Sequence, residues 1–281
     1  MKVASIGLGL IGGSFALALQ EHVLEVEIWG IDHNQAHIEA ALARKIIHHK
    51  GSIDDLKNFD LIVLSIPVDA ASALLPEILH QAEKECLVID MGSTKNDVCE
   101  AVKNHVKRNQ FLALHPIAGT EFSGPKAAFA SLFNNAMMIV CEAEKTDENL
   151  KKKAYQILQK LKMQLHFMSP KEHDKHLAYV SHLSHVSSFM LGKTVLDLEK
   201  NEGEIFNLAG SGFESTVRLA KSNSKTWTAI FKQNKSEVLT SLKEYQQNLK
   251  EFEKLLETNQ FSELENLLNS TSRIKEILAK K

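Results

Sequence analysis

The sequence predicts an α/β chain in two parts: a mostly parallel sheet flanked by helices over residues 1–168, then an all-helical part over residues 169–281. In the first part, short β-branched or apolar runs alternate with segments of helical spacing, the pattern of strands joined by crossover helices. A glycine-rich turn links the first strand-like run to the first helix-like one. Beyond Ser169 the helical periodicity continues without a convincing strand.

Strand-like runs occupy residues 2–6, 25–31, 61–65, 87–91, 111–114, 137–141 and 165–168, and helical spacing appears at 14–21, 34–44 and 70–82. The first run leads into Gly7, Leu8, Gly9, Leu10, Ile11 and Gly12, a GxGxxG turn between strand and helix. In such a turn Gly7 makes the tight bend, Gly9 lets the backbone approach a pyrophosphate and Gly12 permits close helix–strand packing. Leu10 and Ile11 open a helix whose amide groups and dipole stabilise phosphate charge. Asp32 lies twenty residues beyond Gly12, at the end of the second run. A carboxylate there binds the ribose hydroxyls of NAD and repels the extra phosphate of NADP. The first part is therefore read as a Rossmann-type dinucleotide-binding domain, with NAD expected and NADP disfavoured; the neighbouring His33 softens that preference. Ser65 and Pro67, around Ile66, flank the cofactor or simply make a turn.

Three further groups carry potential chemistry. Residues 90–95 read DMGSTK at a strand end, where Ser93 or Thr94 caps a helix starting at Lys95 and the same hydroxyl also suits a substrate contact. His115 opens HPIAGTEFSG (residues 115–124) at the carboxyl end of an apolar run, the edge of an open α/β sheet where ligands bind. Its near-neutral pKa suits general base catalysis. A glycine-rich bend at Gly210 and Gly212 precedes a helix bearing Arg218, followed by Trp227. Arginine's planar fork can clamp a carboxylate bidentately.

The helical part begins at Ser169 with a capping box completed by Glu172, and Pro170 in the first turn. His173 and His176, then His182 and His185, invite a metal hypothesis, but on one regular helix the two pairs face opposite sides, so no metal is expected. Apolar residues at Phe231, Val238, Leu242, Tyr245, Leu249, Phe252 and Leu256 predict one long helix over about 224–258, roughly 50 Å in length, resembling a coiled-coil seam. Such a helix suits a homodimer.

The formal net charge of −2 gives no field to attract nucleic acid or an anionic membrane. No apolar run approaches the roughly 18–20 residues of a membrane span. The apolar stretch at 3–19 is interrupted by Gly7, Gly9, Gly12 and Gly13, unlike a secretion signal. Three widely spaced cysteines suggest reduced thiols and a cytoplasmic protein.

GLGLIGGS at 7–14, DMGSTK at 90–95, HPIAGTEFSG at 115–124, SHLSH at 181–185 and GFESTVRLAKS at 212–222 occur in the order found in prephenate dehydrogenases. Over about residues 3–235 the chain resembles that family, which oxidises prephenate, or its amino counterpart arogenate, with decarboxylation on the route to tyrosine. The resemblance implies a Rossmann domain plus a helical dimerisation domain. It makes His115 the catalytic histidine on the ring hydroxyl and Ser93 the hydroxyl that orients histidine and substrate. Thr120 would line the pocket, His185 would face the substrate, and Arg218 would bind a substrate carboxylate with Trp227 packing nearby. One departure is Ser215, with Glu214 beside it, where relatives commonly carry an acid two or three positions before the arginine. Two rivals stand beside this reading. A β-hydroxyacid dehydrogenase needs a lysine in GxxGxGxxxKxxxN, which the chain lacks; a non-catalytic nucleotide-sensing dimer would not need His115, Ser93 and Arg218 together. Past Lys235 no pattern for a small regulatory domain appears, so a monofunctional enzyme is expected.

Overall fold

The parallel strands are apolar on both faces. In β4 (Leu61–Leu64) and β5 (Leu87–Asp90), Leu61, Val63, Leu87 and Ile89 join one core cluster, while Ile62, Leu64 and Val88 join the other. Strands buried on both sides read as continuous hydrophobic runs, which is why these segments are visible in the sequence. The structure, a computed structural model, describes residues 1–202 and 204–279. It contains two compact units, Met1–Lys235 and Ser236–Lys281.

The first unit holds an eight-stranded sheet of order β3-β2-β1-β4-β5-β6-β7-β8. Strands β1 (Lys2–Ile6), β2 (Glu27–Ile31), β3 (His49–Lys50), β4, β5 and β6 (Phe111–Pro116) are parallel. The chain then turns back. β7 (Met137–Cys141) runs antiparallel to β6, pairing Ile139 with His115, and β8 (Gln164–Phe167) runs parallel to β7 at the edge. The two-residue β3 is exposed, and nothing in its composition marks it as a strand.

Helix α1 (Leu10–His22) packs on one face through Phe15, Ala16, Ala18 and Leu19. Also in the first unit are α2 (Gln35–Ala43), α3 (Val68–Gln81), α4 (Asn96–Ala101) and α5 (Glu148–Lys160). Helix α6 (Pro170–Leu177) starts with the expected capping box, formed in both directions between Ser169 and Glu172. It leads through a π-helical turn at Ala178–His182 into α7 (Leu183–Glu202), followed by α8 (Ser211–Val217) and α9 (Ser224–Gln233).

The expected long helix changes here, and the compact units are divided at a different residue from the two parts read in the sequence. The sheet gives way to helices near residue 168, but the first compact unit continues to Lys235. Helix α9 explains part of this: Gln233 Nε2 donates to Val68 O and Ser72 Oγ at 3.0 Å each, fastening α9 to α3. The single long helix over 224–258 is interrupted at Asn234, between α9 and α10 (Lys235–Glu257). Buried Asn234 turns its amide inward, donating to Asp174 O at 2.7 Å and lying 3.1 Å from His182 Nδ1. In the second unit the chain continues through α10, α11 (Phe261–Thr271) and α12 (Ile274–Leu278), with Leu249, Phe252, Leu256 and Phe261 exposed. No helix among the described residues is long and apolar enough to cross a membrane.

Candidate active site

The strand order reverses between β1 and β4, and the carboxyl ends of the parallel strands form one edge, the crevice where α/β sheets bind ligands. Gly7 and Gly12 are required by sterics. Gly7 has φ +93°, and a Cβ on it would lie 2.4 Å from Ser65 O. A Cβ on Gly12 would lie 2.1 Å from Gly7 O. At Gly9 a Cβ would meet nothing within 4 Å, so the turn leaves open space beside the start of α1.

Asp32 follows β2 and is tied to this turn. Its Oδ2 accepts the Leu8 N–H at 2.9 Å and lies 3.2 Å from His37 Nδ1, while its Oδ1 accepts the Asn34 N–H at 2.8 Å. Burial alone would raise the Asp32 pKa, but those two amides and the His37 ring hold it below the usual value. An open glycine turn beside a helix start, with an ionised carboxylate at the next strand end, fits a dinucleotide. Ser65 Oγ is buried without a hydrogen-bond partner among the described residues, facing this turn region, whereas Pro67 is exposed and stands at the N-terminus of α3.

The turn after β5 is built on a buried ion pair. Lys95 Nζ donates to Asp90 Oδ1 at 2.6 Å and to Leu114 O at 2.7 Å, and both charged side chains are essentially inaccessible. Asp90 Oδ2 accepts the Gly92 N–H at 2.9 Å. Neither Ser93 nor Thr94 caps α4. The Asp174 carboxylate of α6 accepts the Lys95 and Asn96 N–H groups at 2.8 and 2.9 Å, and Thr94 Oγ1 donates to Gln233 Oε1 at 2.6 Å.

His115 sits at the end of β6 with 9% of its surface exposed. Its Nδ1 lies 2.8 Å from His173 Nε2, and His173 Nδ1 lies 2.7 Å from Asp174 Oδ1. Among the described residues the ring hydrogen-bonds His173 and not Ser93. Burial, reinforced by His173, Lys95 and His182, pushes the His115 pKa well below the ordinary 6.5. Burial and the Lys95 charge likewise push His173 down to about 2, and burial pushes His182 down to about 4. All three rings are neutral at neutral pH.

The histidine pairs do not face opposite sides, because the π-helical turn changes the phase. One accommodated residue subtracts about 100° from everything downstream, so His173 and His182 close from about 180° to about 80° and His185 comes to about 20° of His173. His173, His182 and His185 are buried, whereas His176 is exposed. His185 stacks on Trp227, with ring centroids 3.3 Å apart, and its Nδ1 donates to Ser181 O at 3.0 Å. Its pKa is lowered by burial first and also by the Arg218 charge, which places the guanidinium within electrostatic reach. No group of three or more His, Cys, Asp or Glu among the described residues could hold a metal ion.

Arg218 lies in a 3-10 turn after α8 rather than within a helix. Ser188 of α7 secures that segment, donating to Thr216 O and accepting from Ala220 N–H. Arg218 Nη1 is 3.3 Å from Glu121 Oε2, so the loop after His115 meets the arginine, and Glu214 instead lies 3.5 Å from Lys221. Thr120, on the same loop, is exposed and accepts the Phe122 N–H. Sequence reasoning missed the contributions of Lys95, His173, Asp174 and Asn234. The only local signal was an adjacent His-Asp pair one turn inside a capped helix.

Comparison with known proteins agrees with this architecture. Two family models match, described as the prephenate dehydrogenase nucleotide-binding domain over residues 15–167 and the prephenate dehydrogenase dimerization domain over residues 169–270. A prephenate dehydrogenase of Bacillus subtilis is 31% identical over 265 residues, covering 93% of this chain and 71% of that protein. A cyclohexadienyl dehydrogenase of Zymomonas mobilis is 28% identical, covering 88% and 86%. The crystal structure of prephenate dehydrogenase from A. aeolicus in complex with hydroxyphenyl propionate and NAD+ superimposes with a TM-score of 0.87 at 29% identity, covering 99% of this chain and 97% of that one. Synechocystis arogenate dehydrogenase gives 0.76 at 28% identity, covering 98% and 99%. With a glycine cradle, a neutral buried histidine and these matches along nearly its whole length, the chain belongs to the prephenate dehydrogenase family.

Proposed function

We propose that the protein oxidises prephenate to 4-hydroxyphenylpyruvate with loss of the ring carboxylate. The observation that carries this reading is His115, a neutral imidazole at the carboxyl edge of the sheet, on a strand whose following loop reaches Arg218 through Glu121. NAD, when bound, supplies the hydride acceptor. The ring carbon gives up its hydride as the hydroxyl proton passes to His115, the carboxylate leaves as carbon dioxide so that the ring becomes an aromatic phenolate, and the proton returns to the phenolate oxygen to give the phenol. Aromatisation drives the reaction, leaving the protein to position the ring and receive one proton. Ser93 would contact the ring hydroxyl, Arg218 would clamp a side-chain carboxylate, and Thr120, His185 and Trp227 would line the pocket. His115→Asn is expected to lower kcat by roughly 10²–10⁴-fold, and Arg218→Ala to raise KM chiefly. Near-normal turnover of H115N in a nicotinamide absorbance assay would overturn the assignment.

The Asp32 carboxylate supports NAD over NADP, since a 2′-phosphate would meet its charge. Comparing kcat/KM for prephenate and arogenate, each with NAD and NADP, tests both preferences; higher values with NADP or arogenate would reverse them. The domain over 169–281 is read as the dimerising one, in keeping with the matched dimerization domain and the apolar residues exposed on α10 and α11. A concentration-independent monomer mass in sedimentation would remove the homodimer. Three buried, unpaired cysteines are in keeping with a cytoplasmic enzyme, which cell fractionation would check.

A further inference from the structure

Behind His115 lies a short chain of hydrogen bonds whose direction is set by which atoms can donate. Asp174 meets three N–H donors: its Oδ1 accepts the Lys95 N–H at 2.8 Å and lies 2.7 Å from His173 Nδ1, and its Oδ2 accepts the Asn96 N–H at 2.9 Å. An ionised carboxylate only accepts, so His173 carries its proton on Nδ1. A neutral imidazole has one N–H, which makes His173 Nε2 an acceptor. His115 Nδ1, 2.8 Å from that nitrogen, must therefore be the donor.

We infer that Asp174 and His173 are positioning residues for the proposed proton acceptor, holding His115 in the tautomer that is protonated on Nδ1 and presents an unprotonated Nε2 to the substrate hydroxyl. The inference rests on the reading of His115 as the base. A ring free to rotate or exchange tautomers would spend much of its time with a proton already on the nitrogen that should receive one. In the serine-protease triad an aspartate fixes the tautomer of the catalytic histidine directly, and its loss lowers kcat by about 10⁴-fold. Here a second imidazole is interposed.

The relay is built to stay in place. His173 is fully buried, and its ring meets the His115 ring edge-on with centroids 5.0 Å apart. The Asp174 backbone is held from the other side by Asn234 Nδ2, which donates to Asp174 O at 2.7 Å. Asp174 also supplies the N-terminal cap of α4, so the helix after the Ser93 turn and the ring of His115 take their positions from one carboxylate. Burial pushes the Asp174 carboxyl up, while the amides of Asn96 and Lys95 and the Lys95 charge oppose it and favour the ionised form.

The test uses the full chain with NAD and prephenate. Long-range ¹H–¹⁵N spectra of histidine-labelled protein, with H115N used for assignment, should show His115 protonated on Nδ1 and bare on Nε2. His173→Leu, which removes the acceptor, should lower kcat by roughly 10²–10⁴-fold with little change in KM, and should release His115 from that tautomer. His173→Gln places an amide oxygen near the lost Nε2 and should recover most of the activity. A wild-type spectrum with the proton on His115 Nε2 overturns the inference, as does a folded H173L enzyme with unchanged kcat and tautomer. Should H173L not fold, the wild-type spectrum still decides. An active H115N enzyme would remove the base reading itself, whereas an inactive H115N with a fully active H173L removes only the relay.

Discussion

Lowering the pH from 7 to 5 is expected to remove about 2 kcal/mol of folding stability for each of the buried rings His173 and His182, and His115 adds to the loss in the same direction. Each ring is neutral in the folded chain because burial pushes its pKa below the ordinary 6.5. In the unfolded chain each titrates near 6.5. Above that value both states are neutral and the full stability is present. Below it the unfolded state binds more protons, so stability falls with pH until each folded pKa is reached, about 4 for His182 and about 2 for His173. His173 and His182 together give a slope of about 3 kcal/mol per pH unit near pH 5, to which His115 adds. Asp174, whose carboxyl is raised, acts in the opposite sense at more acid pH. Urea unfolding at pH 7, 6 and 5 measures the slope, and His182→Asn should reduce it by about 1 kcal/mol per pH unit. A stability unchanged between pH 7 and 5 would show that these rings are not buried neutral.

The second large effect concerns the ion pair behind the site. Lys95→Met should destabilise the fold by about 3–5 kcal/mol, because it strands the Asp90 carboxylate in a site where, among the described residues, Gly92 N–H is its remaining hydrogen-bond donor, and it takes a donor from Leu114 O. The paired change K95M with Asp90→Asn should be milder, since the stranded charge is then gone. Leu114 precedes His115, and the Lys95 charge helps hold the His115 pKa down. The acid limb of kcat should therefore move to higher pH in K95M. Denaturant melts and a pH profile check both outcomes. A K95M enzyme as stable as wild type, with an unmoved acid limb, would show that the pair does neither.

The features legible in the sequence are those whose physics is local or periodic. GxGxxG forces a turn that Gly7 and Gly12 alone accommodate, and the carboxylate of Asp32 sits where a second strand must end. Doubly buried strands appear as apolar runs, and the Ser169–Glu172 capping box marks a helix start within four residues. The edge strand β3 escaped notice because two exposed residues carry no hydrophobic pattern. The phase of His173 against His182 escaped because a π-helical turn inserts one residue where regular spacing assumes none. The break at Asn234 escaped because the apolar repeat continues across it, while the amide that ends α9 is held by Asp174 and His182, far away in sequence.

By itself, then, the sequence determined a dinucleotide-binding α/β sheet and the helical character of the chain beyond Ser169, and it singled out His115 and Arg218 as the groups proposed to take a proton and hold a carboxylate. Only the tertiary structure decided what stands behind those groups: the Lys95–Asp90 pair, the His173–Asp174 relay, and an α4 capped by Asp174 rather than Ser93. Turns, caps and strand patterns are written in neighbouring residues. Burial, pKa and the direction of a hydrogen bond depend on atoms that meet only when distant segments pack.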